Sequence, residues 1–125
     1  MAAEKITFEQ KFSKLKAEYT ALLPQKLADI HDGWSALKTK HSIETITILH
    51  RNVHTLIGTS GTFGFSTLSK SARNLEETLR PLIKHNMQNF TFNTELSHKI
   101  SSNIQQLFSL LEAIQNDTEQ TNDTE

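Results

Sequence analysis

Apolar residues recur three and four positions apart along almost the whole chain, and this spacing restricts the fold more than any other feature. Such a spacing places apolar side chains on one side of an α-helix. A strand with one exposed face would require apolar and polar residues to alternate, and this alternation is absent. Glycine and proline, the residues that interrupt helices, number only four and two among 125 residues. The sequence therefore predicts an all-α protein.

The first half of the chain divides into three predicted helices. One apolar stripe covers 8–22, and Pro24 follows at a place where proline suits the first turn of a second helix. The stripe of that second helix covers 23–37. Ser42 is a suitable N-cap for a third helix, which should extend into a group of glycines.

The second half of the chain predicts two further helices. Ser66 suits the N-cap of the fourth helix, and Pro81 lies near its end, where proline kinks or stops a helix. A predicted loop over 85–92 leads to a last helix that begins at residue 93 or 94. Four of these helices are long enough for an antiparallel four-helix bundle, and the additional N-terminal helix is predicted to pack across one end.

Length and composition limit the domain organisation and the class of function. In a chain of 125 residues, 1–116 is predicted to be one helical domain, and the polar, acidic 117–125 a disordered tail or linker. The absence of cysteine excludes disulfides and thiolate chemistry. A net charge of −1 argues against a nucleic-acid partner. The lack of a long apolar run or signal peptide predicts a cytoplasmic protein without a membrane partner.

The stretch HRNVHTLIGTSGTFGF, residues 50–65, holds two histidines one helical turn apart and three of the four glycines. At about 100° per residue, the apolar stripe of the third helix leaves His54 on a flank that faces water. Two glycines on this flank would clear the surface for close approach by another molecule, unless they serve only to end the helix. The neighbours of His54 on the flank are His50, Gly58, Gly61 and Arg51.

Other chemical interpretations of this stretch have less support. His50 and His54, at i and i+4, have a spacing that can hold a metal on one helix face. No acidic residue lies between them as in H-E-x-x-H, and no spacing identifies a third ligand, so no metal or other cofactor is predicted. Phosphate-loop and serine-hydrolase motifs are absent. Gly64, just before the next helix, is predicted to be a turn residue.

A polar flank follows the apolar stripe of the fourth helix and contains Ser69, Arg73, Glu76 and Arg80. A solvated face with local ion pairs explains this pattern. If the third and fourth helices pack antiparallel, however, the flank lies alongside His54. A carboxylate there would accept a hydrogen bond from one imidazole nitrogen and leave the other nitrogen as an exposed nucleophile.

The same region resembles the signature of the histidine-containing phosphotransfer (HPt) domain, H-x-L-K-G-x-S-x-x-x-G-x-x-x-L followed by a leucine and an acidic or amide residue. The matching residues are His54, Leu56, Gly58, Ser60, Gly64, Leu68, Leu75 and Glu76. The resemblance implies an antiparallel four-helix bundle that carries a phosphoryl group on His54, without an ATP site or metal of its own. It implies Gly58 as the place of receiver approach and Glu76 as the partner of the imidazole. The implied partners are response-regulator receiver domains and a hybrid sensor kinase.

One residue departs from this signature, because Ile57 stands where the family usually has lysine. A cation at that position would help to hold the phosphoryl group, so Arg51, Arg73 or Arg80 is expected to substitute. Arg73 and Arg80 match positions at which some family members have basic or polar residues. Ile57 also makes the predicted docking surface more apolar. That surface comprises His50, Ile57, Gly58 and Gly61.

Two alternatives to a phosphoryl carrier remain at the level of the sequence. The bundle could be an interaction module that binds a receiver or another signalling partner without accepting phosphate. It could also be a helical metal-binding domain that retains zinc through His50 and His54.

Overall fold

The computed structural model describes residues 7–84 and 94–123, with side chains described as far as residue 117 of the last helix. Four helices make up this part of the chain: α1 (Phe8–Thr39), α2 (Ile43–Thr62), α3 (Ser66–Lys84) and α4 (Thr94–Asp123). No strand occurs among the described residues. The predicted all-α class is therefore confirmed.

The four helices form an antiparallel bundle. Each helix packs against the next along the chain, and α4 packs back against α1. Paired contacts give the direction: Tyr19 of α1 forms a hydrogen bond with Thr59 of α2, whereas Gly33, later in α1, lies against Leu49, earlier in α2. Likewise, His54 of α2 contacts Glu76 of α3, whereas the later Ile57 contacts the earlier Ser69. The fully buried large side chains come from all four helices and are Leu23, Leu27, Ile30, Leu37, Leu49, Leu56, Leu68, Leu75, Leu79, Leu82, Ile100 and Leu107.

The additional N-terminal helix predicted from the break at Pro24 is not a separate element, because α1 is continuous from Phe8 to Thr39 with Pro24 inside it. Pro24 is exposed, whereas Leu23 and Leu27 on either side are fully buried. An interior proline costs a helix about 3 kcal/mol or more. Burial of each leucine stabilises the fold by about 1.5–3 kcal/mol, so the apolar stripe carries the helix past the proline.

The N-terminal half of α1 contacts the turn after α2, but as part of one long helix and not as a separate helix packed across the end of the bundle. The ring centroid of Phe63, in the turn after α2, lies 5.5 Å from that of Phe12 and 4.8 Å from that of Tyr19. Phe8, at the start of α1, is 80% exposed. The contact with Phe63 therefore comes from Phe12 and Tyr19 and not from Phe8 at the start of the helix.

Helix α2, which carries both histidines, begins and ends as predicted. Ser42 is its N-cap and forms a capping box with Thr45, which satisfies free backbone donors of the first turn. The helix continues through two of the glycines to Thr62. Gly64 then has a φ of 82°, a left-handed conformation that glycine adopts without strain, so the predicted turn at this residue is confirmed. Ser66, which was predicted as the N-cap, is instead the first residue of α3, so this helix begins one position earlier than predicted.

Helix α4 begins at Thr94, as predicted, but extends to Asp123. The stretch 117–123, predicted to belong to a disordered tail, is therefore helical, while 124–125 and the predicted loop at 85–92 lie outside the described residues. Extending an existing helix by one residue is far less costly than nucleating a new one, so polar composition alone does not end a helix already established by a packed segment. Among the described residues, no helix has the length and apolar character needed to cross a membrane.

Candidate functional site

The site lies where α2 and α3 pack side by side, and its central contact joins His54 of α2 to Glu76 of α3. His54 Nδ1 lies 2.9 Å from Glu76 Oε2, within hydrogen-bonding distance. The His54 side chain is 72% exposed, whereas that of Glu76 is only 17% exposed. The bundle therefore holds the carboxylate in place and leaves the imidazole in solvent, as the flank pattern of the two helices predicted.

A second imidazole approaches the same carboxylate oxygen. His50 Nε2 lies 3.3 Å from Glu76 Oε2, and the His50 side chain is 36% exposed. The two imidazole ring centroids are 5.8 Å apart. Sequence reasoning placed His50 on the docking surface or in a metal site and missed its contact with Glu76, although its spacing of four from His54 was the available signal.

The charge of Glu76 follows from these neighbours. The hydrogen bond from His54 lowers the pKa of the Glu76 carboxyl below its ordinary 4.5, the two nearby imidazoles add to this, and partial burial opposes it. Glu76 is thus a carboxylate at neutral pH and can only accept hydrogen bonds. Neutral His54 then carries its proton on Nδ1, which leaves a free electron pair on the exposed Nε2.

The two glycines of α2 differ in what surrounds them. A Cβ added at Gly58 would meet nothing within 4 Å, so Gly58 faces open space one turn beyond His54. A Cβ added at Gly61 would lie 3.5 Å from Ser69 Oγ on α3. Of the two glycines predicted to clear a docking surface, Gly58 thus has the open position and Gly61 faces the neighbouring helix.

Ile57, the departure from the family signature, is half-buried and packs against the hydrophobic core. Its carbonyl oxygen accepts a hydrogen bond of 2.8 Å from Ser69 Oγ, which ties α2 to α3 beside the site. Ser69 lies on the predicted polar flank, but this inter-helix role was not foreseen. Ile57 therefore covers the edge of the core next to His54.

The three arginines expected to replace a lysine charge have different surroundings. The Arg80 guanidinium donates a hydrogen bond of 2.8 Å to Glu77 Oε1 and none to Glu76. Arg51 lines a pocket with Lys26 and Asp29, on the side of α2 that faces α1. The Arg73 side chain is exposed and forms no hydrogen bond or ion pair with the side chain of another described residue. Arg73 lies one turn before Glu76 on α3.

Fold and site together define a class of protein: a helical bundle that presents one carboxylate-oriented histidine to solvent. The family model of the Hpt domain matches residues 14–117, and the chain belongs to this family. Hpt domains are histidine phosphotransfer carriers in phosphorelays, where they interact with receiver domains and kinases. Neither a curated protein nor a solved structure matches the chain significantly.

Proposed function

We propose that His54 accepts a phosphoryl group from a phospho-aspartate of a receiver domain, or from a kinase, and passes it to another receiver. The observation that carries this proposal is the 2.9 Å contact between His54 Nδ1 and Glu76 Oε2 on an imidazole that is 72% exposed. That contact selects the tautomer in which Nε2 is a nucleophile.

In the first step, His54 Nε2 attacks the phosphorus of the phospho-aspartate in line. The N–P bond forms as the P–O bond to the aspartate breaks, and the aspartate leaves as a free carboxylate. The imidazole ring becomes positively charged as it loses the Nε2 electron pair. Glu76 stabilises this charge through the Nδ1–H hydrogen bond, because a hydrogen bond between charged groups is stronger than one between neutral groups. Attack by a second aspartate reverses the step.

The partner supplies the remaining chemistry in this proposal. The receiver contributes a magnesium ion and a lysine that neutralise charge on the transferred group, so the bundle needs no ATP site or cofactor. The receiver docks over Gly58, whose missing side chain allows close approach, and over the neighbouring His50, Ile57 and Gly61. Arg73 contributes a positive charge in place of the usual lysine, with Arg51 and Arg80 at the margins.

A phosphate-transfer experiment tests the proposal. The full chain is incubated with a receiver carrying a labelled phospho-aspartate, and acid-labile, alkali-stable label is measured on the bundle. We expect label on the wild type and on a control variant, His98→Gln, which alters an exposed histidine of α4. We expect none on His54→Gln. Receiver binding without label on the wild type would instead support a pure interaction module.

A further inference from the structure

Three side chains at the site form a group that the phosphotransfer proposal does not fully use. His50, His54 and Glu76 each place one ligand atom so that all three atoms lie within 4.8 Å of one another. We propose that these residues bind a divalent transition metal of the zinc type, and that the bound metal prevents His54 from accepting phosphate. The metal site stands on its own geometry, while its effect on transfer rests on the proposed function.

The donor set suits zinc in both chemistry and spacing. Two imidazoles and one carboxylate are the ligands of known catalytic zinc sites, in which water fills the fourth position. Ligands about 2.0–2.2 Å from a tetrahedral metal lie roughly 3.3–3.5 Å from one another. Glu76 Oε2 lies 3.3 Å from His50 Nε2 and 2.9 Å from His54 Nδ1, so both of these pairs are within a few tenths of an ångström of that spacing. The two imidazole nitrogens lie within 4.8 Å of each other, and rotation of the exposed His54 side chain can adjust their separation.

The bundle also holds the three ligands in place. His50 and His54 are one turn apart on α2, and Glu76 faces them from α3. The two helices are fixed nearby by the hydrogen bond from Ser69 to the carbonyl of Ile57. Exposure of the His54 side chain leaves the site open to solvent. Imidazole ligands favour zinc, nickel and copper over magnesium and calcium, which prefer oxygen ligands.

Metal binding would change the state of the nucleophile. Neutral imidazole carries one proton, which the contact with Glu76 places on Nδ1 of His54. Coordination through Nδ1 displaces that proton, and the neutral ring then carries a proton on Nε2. Nε2 no longer has a free electron pair and cannot attack phosphorus. Zinc occupation and phosphate acceptance at His54 are therefore mutually exclusive.

Binding of Zn²⁺ to the full chain tests the site independently of phosphotransfer. We expect calorimetry to show one zinc per chain for the wild type, and at least tenfold weaker binding for His50→Gln, which removes one ligand. His98→Gln should bind zinc as the wild type does, and circular dichroism checks that each variant is folded. No zinc binding by the wild type, or equal binding by folded His50→Gln, would overturn the inference.

Phosphate transfer with and without zinc tests the consequence. We expect stoichiometric zinc to slow labelling of the wild type and His98→Gln at least tenfold. In His50→Gln, the labelling rate with zinc should stay close to the rate without zinc. The same zinc sensitivity in all three proteins would place the effect on the receiver and overturn the blockade. Wild-type protein that binds zinc but never accepts phosphate would refute the proposed function alone, whereas transfer without zinc binding would refute the metal site alone.

Discussion

Replacement of Gly58 by alanine should make the protein more stable and a poorer phosphate acceptor. Gly58 lies inside α2, its φ is not in the left-handed region, and an added Cβ meets nothing within 4 Å. Glycine in a helix interior is about 0.5–1 kcal/mol less favourable than alanine. Because no clash offsets this gain, Gly58→Ala should raise the free energy of unfolding by that amount and the melting temperature by roughly 3 °C.

The same substitution should slow phosphate transfer. A side chain at residue 58 lies about 5–6 Å from that of His54, one turn away on the same face, which is where the proposed function places the receiver. A displacement of about 1 Å in a reacting pair can cost roughly 100-fold in rate. We expect Gly58→Ala to slow transfer several-fold and the larger Gly58→Gln to slow it at least tenfold.

Urea unfolding measures the stability change, and rapid-quench labelling by a phosphorylated receiver measures the rate. Gly61→Ala is the matched control in the same helix, because its Cβ would contact Ser69 at an ordinary 3.5 Å instead of facing open space. We expect a smaller effect of Gly61→Ala on transfer. A folded Gly58→Gln variant that accepts phosphate at the wild-type rate would show that receivers do not dock over this position. Loss of stability in Gly58→Ala would refute the helix-propensity reasoning.

Three further substitutions test other contacts. Glu76→Gln keeps a hydrogen-bond acceptor but removes the charge, so transfer should slow about five- to tenfold, corresponding to about 1 kcal/mol, in the same labelling assay; an unchanged rate would contradict the role of the carboxylate. Ser69→Ala removes the hydrogen bond to the Ile57 carbonyl and should lower the free energy of unfolding in urea by about 1 kcal/mol. Burial raises the pKa of Tyr19 above 10.0, although its hydrogen bond with Thr59 opposes this, so the neutral phenol stabilises the fold below pH 10. That stability is lost as pH rises through the raised pKa, and the urea midpoint of Tyr19→Phe should fall less between pH 9 and pH 11 than that of the wild type.

Much of the fold was predictable because it depends on local pattern. The apolar spacing predicted the all-α class, and the Ser42 cap and the Gly64 turn follow from residue chemistry within a few positions. The prediction that a helix ends at Pro24 was wrong. The local preference of proline favoured a helix break there, but burial of Leu23 and Leu27 on either side overrode that preference. Helix α4 also continues through 117–123, where a tail was expected, since composition does not report how far a helix continues.

The site was predictable where two helix faces had to meet. An antiparallel pairing of α2 and α3 was enough to place Glu76 beside His54. It was not enough to show that His50 reaches the same oxygen, or that Arg80 turns to Glu77, because these details depend on side-chain conformations. Spacing alone likewise identified no third metal ligand, since that ligand comes from another helix.

The half-buried position of Ile57 has a consequence for the exchange of signalling partners. Its side chain packs against the edge of the core, so a polar residue of short reach would uncover apolar surface there. Lysine would not, because its aliphatic stem can cover the same surface while its ammonium group extends into water. A single substitution can thus switch this position between an apolar and a cationic contact while the bundle keeps its packing. If a receiver docks over residue 57 as proposed, this position offers evolution and protein engineering a way to redirect the chain to a different receiver.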